Sequence, residues 1–155
     1  MRLELTRRGD YAVRAAVALA ATNTDGLLST RRIAAEMRIP PRFLPQVMAD
    51  LVRADLVVAQ TGRSGGYRLS KPASDISLLD VIRATEHDRA VRTCILRGGL
   101  CDPDGRCDVH DAFSDARDAL LNSLGRATLA EAAESRQRRL ATAGAAHVSP
   151  PFLGS

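Results

Sequence analysis

The 155-residue chain has no tryptophan, two tyrosines and three phenylalanines. So sparse an aromatic set argues against binding single strands by stacking, where successive bases each need a ring. No apolar run approaches the roughly 20 residues of a membrane span. Met1–Asp10 carries charge but lacks the apolar stretch of a secretory signal. The expectation is a cytoplasmic protein with no membrane partner. No phosphate loop or dinucleotide fingerprint is present, and no internal repeat. An enzyme is therefore not expected. Cysteine is also scarce, with three residues in all.

What is present fits one globular domain with an appendage, since hydrophobic residues make up 45% and charged residues 26% of the chain. A chain of this size hides roughly two thirds of its unfolded surface on folding, enough for a real core. Net charge is only +4, but it is unevenly spread. Residues 1–75 carry 12 Lys and Arg against 7 Asp and Glu, whereas residues 76–133 carry 7 against 10. A basic first half joined to an acidic second half points to a polyanion-binding module attached to something else.

Thr6 is placed to cap a helix whose stripe is Tyr11, Ala12, Ala15, Ala16, Leu19 and Ala20, ending near Ala21 in the turn-like run Asn23–Gly26. Ser29 or Thr30 caps a short helix over Arg31–Met37. Pro40-Pro41 breaks the chain, and Pro41 suits the first turn of a helix through Phe43, Leu44, Val47, Met48 and Leu51, with Pro45 predicting an irregular first turn. Two β-prone runs, Leu56–Gln60 and Tyr67–Leu69, flank the glycine-rich turn Thr61–Gly66. Two helices leading into a basic hairpin form a winged helix-turn-helix. A capped helix from Ser77 to about Thr85 follows. After a cysteine-bearing loop, a long helix over 109–124 carries Val109, Ala112, Phe113, Ala116, Leu120 and Leu124 at steps of three or four, with Gly125 as its stop. Thr128 to Glu131 has capping-box spacing and opens a short last helix, and the chain beyond Ser135 reads as disordered. The fold expected is mainly α with a small β-hairpin. Its divisions are 1–85 for the winged domain, 86–108 for the cysteine loop, 109–133 for the long and short helices, and 134–155 for a disordered tail.

In such a fold the second helix of the motif enters the major groove while the first crosses the backbone. Arg42, Phe43 and Gln46 stand where base edges would be read: Arg pairs with guanine, Gln with adenine, and Phe touches a thymine methyl. Arg63 at the hairpin tip suits a minor groove, with Ser64, Gly65 and Gly66 near phosphate. Arg7, Arg8, Thr30, Arg31 and Arg32 are further phosphate candidates.

Cys94, Cys101 and Cys107 lie within one polar, glycine-rich stretch, a poor disulfide framework but a good metal or redox site. Structural zinc sites usually pair their ligands at shorter spacings. Wider loops can wrap an iron–sulfur cluster with one thiolate per iron. Three thiolates leave a fourth position open, and His110 lies three residues after Cys107. A Cys3His zinc site stays open beside the cluster on spacing alone.

With these marks the chain resembles the Rrf2 transcriptional regulators over about residues 1–133. The resemblance rests on Met-Arg-Leu with Gly9–Arg14, on the wing Gly62–Leu69, on Ile76–Ile82, on the three cysteines and on Thr128-Leu129-Ala130. It implies a homodimer on a palindromic double-stranded operator, joined through the long helix. It also implies an iron–sulfur cluster on Cys94, Cys101 and Cys107 that senses nitric oxide, redox state or cluster supply. Asp10 matches the first-helix aspartate with which the family's nitric-oxide sensors reach a [4Fe–4S] cluster across the dimer. Many members carry a [2Fe–2S] or [4Fe–4S] cluster in this loop, and His110 matches the histidine of those that govern cluster biogenesis. The resemblance favours the partner subunit's Asp10 and [4Fe–4S]. A zinc- or thiol-based winged-helix regulator or interaction module is the alternative.

Overall fold

Helix α1 (Arg7–Ala20) is the axis of the fold. The computed structural model describes residues 5–22, 26–86 and 108–145. Thr6 opens α1 by accepting a hydrogen bond from the Gly9 N–H at 3.1 Å. The buried stripe of α1 is mostly alanine, Ala12, Ala15, Ala16 and Ala18, with Val17 and Leu19. Small side chains let α2 (Thr30–Met37), α3 (Leu44–Arg53), α4 (Leu78–Thr85) and α6 (Leu129–Ala145) all approach it closely. Leu28, Ile33, Leu44, Met48, Leu51, Ile76, Val81 and Leu129 fill the space between them. Each such side chain contributes about 1.5–3 kcal/mol by leaving water.

Ser29 caps α2, and the turn after it pivots on Arg38 at φ 52°, a left-handed conformation unusual for a residue with a side chain. The next helix differs from expectation. Pro41–Phe43 form tight turns, and α3 begins only at Leu44. Pro45 then lies within the first turn, where backbone N–H groups have no helical partner, so its missing donor costs nothing. Strands β1 (Val57–Gln60) and β2 (Gly66–Leu69) pair antiparallel, with Val57 opposite Leu69 and Gln60 opposite Gly66. A bridge from Leu28 to Tyr67 ties the hairpin to the segment entering α2.

A capping box opens α4: Ser77 Oγ accepts from the Asp80 N–H at 3.1 Å, and the Asp80 carboxylate accepts from the Ser77 N–H at 2.9 Å. Partial burial pushes the Asp80 carboxyl up, but the hydrogen bonds from Ser77, with Lys71 and Arg83 nearby, prevail and hold it below the usual aspartate value. Ser77→Ala should cost about 1 kcal/mol in urea unfolding at neutral pH. A carboxyl depressed by folding stabilises above its unfolded value and loses that contribution as pH falls through the folded value. The Ser77→Ala deficit should therefore shrink below about pH 4. An unchanged deficit in acid would show that the carboxylate plays no part in it.

Helix α5 spans His110–Arg126 and runs through Gly125 instead of stopping there. That glycine packs toward Leu79 of α4. Termination comes from strand-like pairing just beyond: Leu78 donates to the Ala127 carbonyl at 2.8 Å, and Leu129 to the Ile76 carbonyl at 2.9 Å. The last helix is likewise longer than expected. Thr128 and Glu131 form the expected capping pair, but α6 continues to Ala145, across the region read as a disordered tail from residue 134. Its Ala, Arg, Gln and Glu content favours helix even though it is polar. Ala133 is buried, and Arg136 donates to the Glu36 carbonyl at 3.4 Å, which fastens the extension to the end of α2. No helix among the described residues is long and apolar enough to cross a membrane.

Candidate nucleic-acid interface and cysteine loop

Helix α3, the second of the helix-turn-helix, turns Leu44, Val47, Met48 and Leu51 into the core and leaves Gln46 and Arg53 outward. Arg42 and Phe43 sit in the turn before it, not on its first turn as the sequence predicted. Phe43 is half-buried, its ring 5.5 Å from that of Tyr11 on α1. The Arg42 guanidinium lies over the Phe43 ring, 4.8 Å from its centroid. Phe43 thus packs on Tyr11 and also supports an exposed arginine.

Thr30 and Arg31 begin α2 and share an open groove with Ala34, Ala35, Ile39 and Pro41, which places them beside the turn into α3. Arg32 is exposed but bonded to Glu36 at 2.6 Å. Arg7 is exposed at the start of α1. Arg8 is placed differently from a solvent-facing phosphate contact: its Nε donates to Asp50 on α3 at 2.6 Å, and a second guanidinium nitrogen meets the same oxygen.

The wing holds Arg63 and Ser64 exposed at its tip. Gly62 takes a φ of +116°, open to glycine and strained for other residues, and the Gly65 N–H closes the turn onto its carbonyl at 3.0 Å. Gly66 is buried because its backbone runs against Leu28; a Cβ there would lie 2.6 Å from the Leu28 carbonyl oxygen. That contact, with the Leu28–Tyr67 bridge, seats the wing next to the start of α2. Of the sequence candidates, the structure brings Arg8 and Gln46 together around Asp50, Arg42 onto Phe43, and the wing base beside the entry to α2.

Cys94, Cys101 and Cys107 lie outside the described residues, as does the predicted turn at 23–25. Among the described residues there is no cluster of three metal-ligating side chains. Both edges of the cysteine loop are defined. Glu86 ends the segment before it and accepts from the Thr6 N–H at 2.8 Å, resting on the buried Gly9. His110 opens α5 after it. Asp10, one residue on from Gly9, forms a two-pronged pair with Arg14 at 3.0 and 2.6 Å. Sequence reasoning missed Asp50, a buried carboxylate on α3 that Arg8, Gln46 and Arg53 approach.

Residues 5–135 match Rrf2, described as an iron-dependent transcriptional regulator. The chain is 31% identical to the HTH-type transcriptional regulator IscR of Escherichia coli over 135 residues, covering 87% of this chain and 83% of that one. It is 29% identical to the HTH-type transcriptional regulator NsrR of Oceanobacillus iheyensis over 143 residues, covering 92% and 97%. The solved structure of CymR, the global cysteine regulator of B. subtilis, aligns with a TM-score of 0.74 at 25% identity, over 86% of this chain and 98% of that one. With the winged helix-turn-helix and the wing geometry already described, the chain belongs to the Rrf2 family of DNA-binding transcriptional regulators.

Proposed function

We propose that the protein is a homodimeric cytoplasmic regulator whose affinity for a palindromic operator follows the state of an iron–sulfur cluster on Cys94, Cys101 and Cys107. One observation carries this reading: three thiols stand in a single polar stretch of a chain matching an iron-dependent regulator family. The donor set fits the group, since thiolates are the usual ligands of such clusters and three of them leave one position for Asp10 of the partner subunit, or for His110. When bound, the cluster supplies a centre that nitric oxide, oxygen or an electron can reach, most readily at an iron held by oxygen instead of sulfur.

The chain's own residues supply the rest. Arg42, Gln46 and the wing tip at Arg63 and Ser64 face DNA, while Thr30, Arg31 and Arg7 offer phosphate contacts. Glu86, resting on Thr6 and Gly9, joins the start of the cysteine loop to the first turn of α1. The exposed apolar stripe of α5 supports its role as the dimer helix.

A thiol-based switch without iron is the second reading, favoured by the likeness to CymR, described as a global cysteine regulator. An absorbance spectrum with iron and sulfide counts, on protein purified without oxygen, separates the two. The expected result is a brown protein with sulfide and about four irons per chain, the stoichiometry of a [4Fe–4S] cluster. Protein that stays colourless after anaerobic reconstitution would overturn the cluster and leave zinc or thiol oxidation to explain the cysteines.

A further inference from the structure

Asp50 is the only charged side chain fully buried among the described residues. A buried carboxylate is costly unless several donors compensate it. Here the donors converge from the reading face. Arg8 reaches one oxygen from α1, Arg53 reaches the other at 3.0 Å, and the Gln46 Nε2 approaches that second oxygen at 3.5 Å. Gln46, Asp50 and Arg53 recur at steps of four and three, one stripe along α3.

We infer that Asp50 is a positioning residue for DNA recognition: it fixes which end of the Gln46 carboxamide faces the base and holds Arg8 and Arg53 as a set pair of cations beside it. The inference rests on the reading of Gln46 as a base-contacting side chain.

A carboxylate only accepts hydrogen bonds, so the neighbouring carboxamide must turn its Nε2 toward Asp50 and its oxygen away. At 3.5 Å the contact is long, and it acts as an orienting field more than as a short bond. An outward amide oxygen accepts from a base amino group, adenine N6 or cytosine N4. It is repelled by the keto oxygens of guanine and thymine. The flipped amide, which would donate to guanine, is thereby disfavoured. The two arginines keep unused N–H groups, because Arg8 spends its bonds on one Asp50 oxygen and Arg53 a single nitrogen on the other. They remain partly exposed, with 37% and 64% of their side chains accessible.

The test selects duplexes with a randomised centre using the full-length wild type, Gln46→Ala and Asp50→Asn. Affinities are then measured with each of the four base pairs at the position that Gln46→Ala releases. Wild type should prefer adenine or cytosine there by about tenfold over guanine or thymine. Asp50→Asn should reduce that preference to below about threefold, since an asparagine side chain also offers a donor and no longer dictates the amide orientation. It should also weaken binding overall. That sign is diagnostic, because removing a negative charge near DNA would strengthen binding on charge alone. Guanine or thymine preferred by wild type would overturn the inference, as would Asp50→Asn with its preference intact and its affinity raised. If Gln46→Ala alters no position, the base-reading role of Gln46 falls and the inference with it, a pattern distinct from the other two. The wild-type arm reads the amide orientation without touching Asp50, so a preference for guanine or thymine overturns the inference even if Asp50→Asn does not fold.

Discussion

A chain carrying Ala116→Glu and Leu120→Glu will sediment as a monomer and bind a palindromic operator at least about a hundredfold more weakly, the loss expected when two linked half-site contacts become independent. Both positions lie on the apolar stripe of α5, exposed in the single chain, with 39% of Leu120 accessible. Helix α5 has 17 residues and not one of them is buried, although Phe113, Ala116, Leu120 and Leu124 recur on one side. Helices in folded proteins draw most of their stability from packing an apolar face, which α5 lacks in the single chain. Its main neighbour in the protomer is α4, touched near the carboxyl end where Gly125 meets Leu79. A second copy laid along the same stripe would bury it, and two glutamates there would set like charges against each other in an apolar seam. Because neither side chain supports the protomer core, circular dichroism should show α1–α4 and the hairpin intact. Sedimentation equilibrium and duplex titration check the two halves of the expectation. A variant that stays dimeric, or a monomer with undiminished affinity, would remove α5 from the account of operator binding.

The parts of the fold that were legible from sequence are those with local chemistry. Thr6, Ser29, Ser77 and Thr128 each announce a helix by a side-chain oxygen within reach of nearby N–H groups, and each does so in the structure. The hairpin is legible because its glycine-rich turn separates two β-prone runs. What was not legible depends on partners distant in the chain. Arg8 reads as a free cation, yet its bond to Asp50 crosses 42 positions. Asp50 drew no reading from the sequence, since no periodicity reveals that an arginine from α1 will cover it. Gly125 is a reasonable stop by composition, but the stop is made by pairing between the segments at 76–78 and 127–129. The carboxyl-terminal helix is polar enough to read as a tail despite its helix propensity, and its anchor at Glu36 is 100 positions away.

Asp10→Ala will leave the dimer and its stability nearly unchanged while removing the dependence of operator affinity on the state of the cysteine loop. The small effect on stability follows from exposure: the Asp10–Arg14 pair is about two-fifths accessible on both sides, and such pairs contribute about 0–1 kcal/mol. The large effect on coupling follows from where Arg14 points. Its guanidinium also approaches the Met37 carbonyl at the end of α2 at 3.5 Å and lies 5.9 Å from the Tyr11 ring centroid. Tyr11 in turn supports Phe43, and Phe43 carries Arg42. On the proposal that Asp10 serves a metal across the dimer, its carboxylate would turn from Arg14 toward that metal and the Asp10–Arg14 pair would weaken. Arg14 ties α1 to the end of α2 in this structure, and metal binding by Asp10 would loosen that tie. A coupling of about 1–3 kcal/mol between such states changes operator occupancy 5- to 150-fold. Duplex titrations of anaerobic protein, before and after treatment with nitric oxide or a chelator, should show that difference in wild type and lose it in Asp10→Ala. His110→Ala is the matched control and should retain it. The reverse pattern, coupling kept without Asp10 and lost without His110, would move the fourth ligand to α5 and leave the Asp10–Arg14 pair as ordinary support for the first turn of α1.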